Sequence, residues 1–187
     1  MNKINPFLIG IIAVIIIGLG WGISTYNSFV SKNEGITTAW AQVESQYQRR
    51  LDLIPNLVNS VKGVMAQEKE IFEAIAVART QYGGATTPSE KALAAGNMES
   101  ALSRLLVIME NYPVLRSIEA VTSLMTELAG TENRIAVERM RYNEVVRDYN
   151  VMVKTVPSKL IANWFGFAPA TPFEAAEGAQ NAPQVSF

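Results

Sequence analysis

The sequence predicts an all-α chain: an N-terminal transmembrane helix followed by an antiparallel four-helix bundle with a long first and third helix. Three observations predict it. No charge falls between Ile4 and Ser31. Apolar residues then recur at steps of three and four over two long segments. Helix breakers gather at Gly83–Pro88, Asn111–Pro113 and Pro157, between or after those segments, with Pro55 the exception that needs an account. The resulting division is residues 1–30 for the anchor and its flanks, 31–167 for the bundle and 168–187 for an extended C-terminal tail. Within the bundle, helices are expected at about 31–82, 89–111, 114–156 and 157–166.

The anchor comes first. Its apolar heart runs from Phe7 to Ile23 and includes Leu8, Ile11, Ile15, Leu19 and Trp21. As a helix it is about 26 Å long against a hydrocarbon core of about 30 Å. Ser24 to Val30 can complete the span, and Trp21 and Tyr26 are the amphipathic aromatics that settle at headgroup level. A secretory signal peptide also begins with a basic residue and an apolar run, but this run is longer and no small-residue cleavage site follows it. Lys3 and the terminal amine on one side, against Lys32 offset by Glu34 on the other, lean toward a cytoplasmic N-terminus and an exported body.

The first bundle helix raises a question at Pro55, because an interior proline costs roughly 3 kcal/mol. The stripe Trp40, Val43, Tyr47, Leu51, Ile54, Val58, Val61, Met65, Glu68, Phe72, Ile75 keeps its spacing of three and four across that residue. A turn would reset the count, so one helix kinked at Pro55 is expected from Ser31 to Tyr82. Gly83 and Gly84 then close it, and Thr87 or Ser89 can cap the next helix, which Gly96 weakens. Asn111-Tyr112-Pro113 is a turn signal. The third helix carries Leu115, Ile118, Met125, Leu128, Ile135, Tyr142, Val146, Tyr149 and Val153, and stops before Pro157. "PSKLIANWFGF" reads as a last short helix, and from Ala168 onward Ala, Pro and Gly leave too few apolar residues for a core.

Composition narrows the function classes. Lys and Arg number 16 against 17 Asp and Glu, giving a net charge of −1 with no clustered basic footprint, so nucleic acid is not an expected partner. The chain has no cysteine and no histidine. Thiolate nucleophiles, imidazole bases and the usual zinc ligands are thereby excluded. Glu68, Glu70 and Glu73 do not share one helix face, and the Glu-x-x-His pairs of di-iron bundles require histidine. No catalytic residue, cofactor or metal is expected.

The polar residues that remain fall near the helical stripes. Arg49, Arg50, Asp52 and Asn56 flank the kink, while Glu132, Asn133, Arg134 and Arg139 lie on the third helix. Packed antiparallel, the two helices could bring these together as an interior or boundary network. Asn143 and Asn150 recur one heptad apart within Y-N-x-x-V, which suits either a register-setting contact or a solvated margin. In the tail, Phe173, Val185 and Phe187 are isolated anchors that could dock on a neighbour.

The blocks "AWAQVESQYQRRLDLIPNLVNSVKG", "EKEIFEAIAVAR", "ENYPVLRS" and "TENRIAVERMRYNEVVRDYN", with the closing "APQVSF", make the whole chain resemble the LemA family. It departs from that pattern chiefly in the polar, glycine-containing stretch Gly83–Asn97. The resemblance implies a single-pass protein of the bacterial plasma (inner) membrane whose soluble part is a four-helix bundle. It also implies a short N-terminus outside the cell, opposite to the charge argument. It brings no reaction, since the family's molecular function is not established. The expected role is a non-enzymatic scaffold or protein-interaction module of the bacterial envelope. Its expected partners are the lipid bilayer, further copies of itself and other envelope proteins. The alternative is an extracytoplasmic small-ligand sensor acting through a partner membrane protein.

Overall fold

The computed structural model describes residues 6–173. Among them are five α-helices: α1 (Pro6–Val61), α2 (Lys69–Gly84), α3 (Pro88–Met109), α4 (Glu119–Lys154) and α5 (Ser158–Phe165). A 3-10 turn spans Pro113–Ser117, and no strand occurs among the described residues. The fold is all-α.

One described helix is long and apolar enough to cross a membrane. It is α1, whose most apolar window has a mean hydropathy of 2.5 and no buried residue. Phe7, Leu8, Ile11, Ile15, Leu19, Trp21 and Ile23 are all exposed. Burial begins with Thr25 and Phe29. Part of the Ser24–Val30 stretch, expected to complete the span, is therefore engaged in packing against the rest of the chain.

α1 continues through Pro55 without interruption. Val43, Tyr47, Leu51, Ile54, Leu57 and Val61 are buried along it, so the apolar stripe passes the proline in phase. The helix does not reach Tyr82, however. It ends at Val61, and the expected single rod divides into α1 and α2. Gly63, a poor helix former, follows the last turn, where the Met65 amide donates to the Val61 carbonyl at 3.0 Å and the Met65 side chain is fully buried. Seven residues, Lys62–Glu68, separate the two helices. That is one heptad, so the apolar count resumes in α2 as though no break had occurred. Ile71, Ile75, Ala78 and Tyr82 form the buried face of α2.

α2 and α3 pack on one another, and only Ala85, Thr86 and Thr87 join them. Ala78, Ala94, Ala95 and Ala101 are buried in these helices, and such small side chains let backbones approach closely. The start of α3 is a capping box. Thr87 Oγ1 accepts from the Glu90 amide at 3.2 Å, and the Glu90 carboxylate accepts from the Thr87 and Thr86 amides at 3.1 and 2.9 Å. These bonds from the Thr86 and Thr87 backbone hold the Glu90 carboxyl below its ordinary range. α3 runs through Gly96 and stops at Met109.

The helix expected third in the bundle, the second long one, is α4, and it begins at Glu119, not at residue 114. Pro113 opens the 3-10 turn, which buries Leu115 and closes with Ser117 Oγ donating to the Val114 carbonyl at 2.7 Å. α5 ends at Gly166, whose φ of 76° is the left-handed conformation that glycine adopts without strain.

The helices form two compact units, residues 6–39 with 141–172, and residues 40–140 with 173. The core of the first unit is Phe29, Tyr149, Val153 and Ala162, with Ile36, Met152, Ile161, Phe167 and Ala170 packed against it. In the second unit the buried residues come from α1, α2, α3, the 3-10 turn and α4, among them Ile54, Leu57, Leu105, Leu115, Val121 and Ile135.

Candidate functional site

The second unit holds a polar centre within its apolar packing. Arg50 of α1 is 7% exposed, and its guanidinium donates to the Glu132 carboxylate of α4. Lys91 of α3 is paired with Glu44 of α1 and lies 5.9 Å from the centroid of the Tyr82 ring. Tyr82 of α2 in turn meets Tyr47 of α1, with ring centroids 5.8 Å apart. Each of the four helices therefore contributes a polar side chain to one region.

Electrostatics in this region follow from burial. Desolvation pulls the Arg50 guanidinium below its ordinary value, while Glu99 and Tyr47 oppose that change. Desolvation raises the Tyr47 phenol, with Arg139 opposing and Glu99 adding to the rise. It pushes the Tyr82 phenol up to about 12, assisted by Tyr47. Both phenols are neutral at physiological pH. The Tyr82 hydroxyl, Arg50 Nε and Gln46 Oε1 are buried without a hydrogen-bond partner among the described residues.

A prediction follows at Tyr82. Its folded value lies above the ordinary 10.0, so the unfolded chain loses that proton first as the pH rises. The associated stability is complete below 10.0 and is lost as the pH climbs toward about 12. Tyr82→Phe should flatten this alkaline limb. It should also raise stability at neutral pH by about 1 kcal/mol, because an unpaired buried hydroxyl is removed. Thermal melts of both proteins across that pH range check it.

The first unit has its own polar contacts, and they hold the chain after α5. Asn150 of α4 donates from Nδ2 to the Ala170 carbonyl at 2.7 Å and accepts the Ala170 amide on Oδ1 at 2.8 Å. Tyr142 donates its hydroxyl to the Thr171 carbonyl at 3.1 Å. A carboxamide making both bonds to one residue fixes an extended segment as a neighbouring strand would.

Of the polar residues singled out from the sequence, the structure joins Arg50 directly to Glu132. Arg49, Asp52, Asn56, Asn133 and Arg134 are exposed, and Asp52 accepts from Gln48 Nε2 at 3.1 Å within its own helix. Arg139 lies 5.0 Å from the Phe173 ring, which stacks on Trp40 at 5.4 Å. Phe173 thus docks on its own chain; Val185 and Phe187 lie outside the described residues. Asn150 clamps the tail, and Asn143 is half-buried. Glu44, Tyr47, Tyr82, Lys91 and Glu99 belong to the polar centre although sequence reasoning did not place them there. Tyr47 and Tyr82 sit on apolar stripes, where a phenol reads as core. Glu68, one of the three glutamates that do not share a helix face, accepts the Tyr112 hydroxyl at 3.0 Å.

The arrangement can stabilise charge and hold helices in register. Among the described residues no group of three or more carboxylates could hold a metal ion. A cleft of about 160 Å³ opens between α3, the 3-10 turn and α4, lined by Leu106, Val107, Met109, Leu115, Arg116 and Met125 among others.

The model of the LemA family matches residues 39–187. Magnetosome proteins MamQ 1 and MamQ 2 of Paramagnetospirillum magneticum are each 29% identical over 175 residues, covering 80% of this chain and 64% of theirs. Magnetosome protein MamQ of Magnetospirillum gryphiswaldense is 29% identical over 168 residues, covering 76% of this chain and 62% of its own. The chain thus spans less than two thirds of the length of these curated relatives.

Proposed function

Because the chain belongs to the LemA family, we propose that it is a membrane-anchored, non-enzymatic helical-bundle protein that self-associates as a scaffold or interaction module of the bacterial envelope. One observation carries the reading. The exposed apolar segment beginning at Phe7 and the buried stripe from Val43 to Val61 belong to one helix, α1. A helix built in this way ties packed helical surface to a bilayer and has no evident use in a freely diffusing enzyme.

Antiparallel bundling of the second unit is supported by the three-residue connection between α2 and α3, which suits neighbouring helices of opposite direction. Self-association is supported by large apolar side chains left exposed there, including Leu93, Val107, Val114 and Met140. The absence of catalysis is supported by the missing histidine and cysteine. The small-ligand alternative gains nothing from the α3–α4 cleft, which at about 160 Å³ is smaller than the few hundred Å³ of ordinary ligand pockets, and little from the larger groove of about 430 Å³ beside α5, which lies open to solvent. We place the anchor in the plasma membrane and the body outside the cytoplasm.

Protease treatment of intact cells and spheroplasts, followed by native mass spectrometry of the detergent-extracted protein, tests this. The expected result is a body cut only once the outer layers are removed, and a mass at a multiple of the 20.5 kDa chain. Release of the protein by alkaline washing, or a mass of one chain, would contradict the anchor or the self-association respectively.

A further inference from the structure

The last helix is short, and its outward face is the reverse of what a soluble surface requires. Trp164 is 83% exposed, Leu160 64% and Phe165 56%. Leu160 and Trp164 are four residues apart and therefore share one helix face. Val156, just before α5, is exposed as well. Isolated exposed apolar residues need no explanation, but an exposed tryptophan beside an exposed leucine and phenylalanine on a two-turn helix does.

The position of α5 within the first unit supplies the explanation. Its inner face packs on α1 at the end of the anchor. A methyl group built on Gly22 would lie 3.9 Å from Ile161 Cδ1. At the edge of that face the half-exposed Phe165 ring lies 4.8 Å from the Tyr26 ring, and Ala162 is fully buried in the cluster containing Phe29. α5 therefore lies alongside residues 22–29, where the exposed apolar segment of α1 gives way to buried side chains. With Phe7 to Ile23 spanning the hydrocarbon core, that stretch falls at the depth of the headgroups. Tyr and Trp concentrate there because one end of each ring system is apolar and the other is polar.

Charge agrees with that placement. Lys154 and Lys159 line one open groove with Asn163 and Gly166, and both lysines are exposed. No acidic residue is among those lining the groove. Lysines beside exposed aromatic and leucine side chains are the composition of a helix that lies in a membrane surface, with cations near lipid phosphates and apolar groups at the acyl boundary.

We propose that α5 is a second membrane contact: an interfacial helix that inserts Leu160, Trp164 and Phe165 into the headgroup region of the bilayer crossed by α1, with Lys154 and Lys159 facing lipid phosphates. The proposal rests on the anchor reading of α1. Insertion fixes the rotation and tilt of the first unit at the surface, which a lone span leaves free. It also leaves the chain after Gly166, clamped by Asn150, starting from the membrane plane.

Two single-tryptophan forms of the full chain test this in vesicles of phosphatidylethanolamine and phosphatidylglycerol carrying brominated phosphatidylcholine. One keeps Trp164 (Trp21→Phe, Trp40→Phe); the other keeps Trp21 (Trp40→Phe, Trp164→Phe). Trp164 should lose most of its emission to bromines placed near the headgroups and much less to bromines at the acyl ends, and Trp21 should also be quenched. Unquenched Trp164 with a water-like spectrum and a quenched Trp21 would overturn the insertion and leave the anchor standing. Blue-shifted but unquenched Trp164 would mean that protein covers α5, which also overturns the proposal. If neither tryptophan is quenched, the anchor itself fails.

Discussion

Phe29→Ala is expected to destabilise the first unit by about 3–5 kcal/mol, the cost of truncating a fully enclosed phenylalanine. Phe29 has no exposed surface. Its ring stacks on Phe167 with centroids 4.8 Å apart and meets the Tyr149 ring edge-on at 6.2 Å. It is also the side chain around which α1, α4 and α5 share a core, with Tyr149, Val153 and Ala162. Removing it leaves a cavity that three helices would have to move to fill. Chemical denaturation of the full-length chain in detergent, followed by near-ultraviolet circular dichroism, measures the loss. Phe29→Leu should recover most of it by refilling the volume. Phe165→Ala should cost far less, since Phe165 is already more than half exposed.

The Arg50–Glu132 pair should respond asymmetrically. Its two side chains differ in exposure, 9% for Arg50 against 41% for Glu132. Glu132→Ala strands a guanidinium inside the second unit, with Nε already unpaired, and should cost about 3 kcal/mol. Arg50→Met strands a carboxylate that water can reach, while the methionine keeps most of the buried volume. Its cost should be about 1 kcal/mol or less. The double variant should resemble Arg50→Met, because nothing charged is then left buried. Equal losses in the two single variants would show that attraction within the pair, not desolvation of arginine, controls this site.

Arg49 and Arg50 illustrate what the sequence could and could not disclose. Adjacent residues on a helix point about 100° apart, so only one of two neighbouring arginines can enter the core. The spacing favours Arg50, which lies three residues after Tyr47 and seven from both Val43 and Leu57 on the buried face. A charge at such a position still reads as an interruption of the stripe until its partner on α4 is seen. The passage of α1 through Pro55 was legible, since apolar phase is conserved across the proline. The break at residues 62–68 was not legible for the same reason: a seven-residue connection conserves phase too. Periodicity detects a change of register and is blind to an interruption of one heptad. At the polar centre, the sequence offered the charges of α1 and α4. Lys91 and Glu44 reach it through helix packing that no local spacing encodes.

Asn150 gives a second example. At heptad spacing from Asn143 it suited either a helix-to-helix contact or a wet margin. The structure has it clamping Ala170 on both backbone atoms. Twenty residues separate the partners, and no pattern in the intervening segment marks the return of the chain.

The tie between membrane span and packed body depends on α1 running unbroken across Pro55, and a distance measures that most directly. The chain has no cysteine, so spin labels can be placed at Gln42→Cys and Asn59→Cys, both exposed positions on α1, in the full-length protein in lipid nanodiscs. Pulsed electron resonance should return a single backbone separation of about 26 Å, the rise of a continuous helix between those residues. A distribution centred near half that value would mean that the chain turns back at Pro55, and the link between membrane span and packed body would be lost.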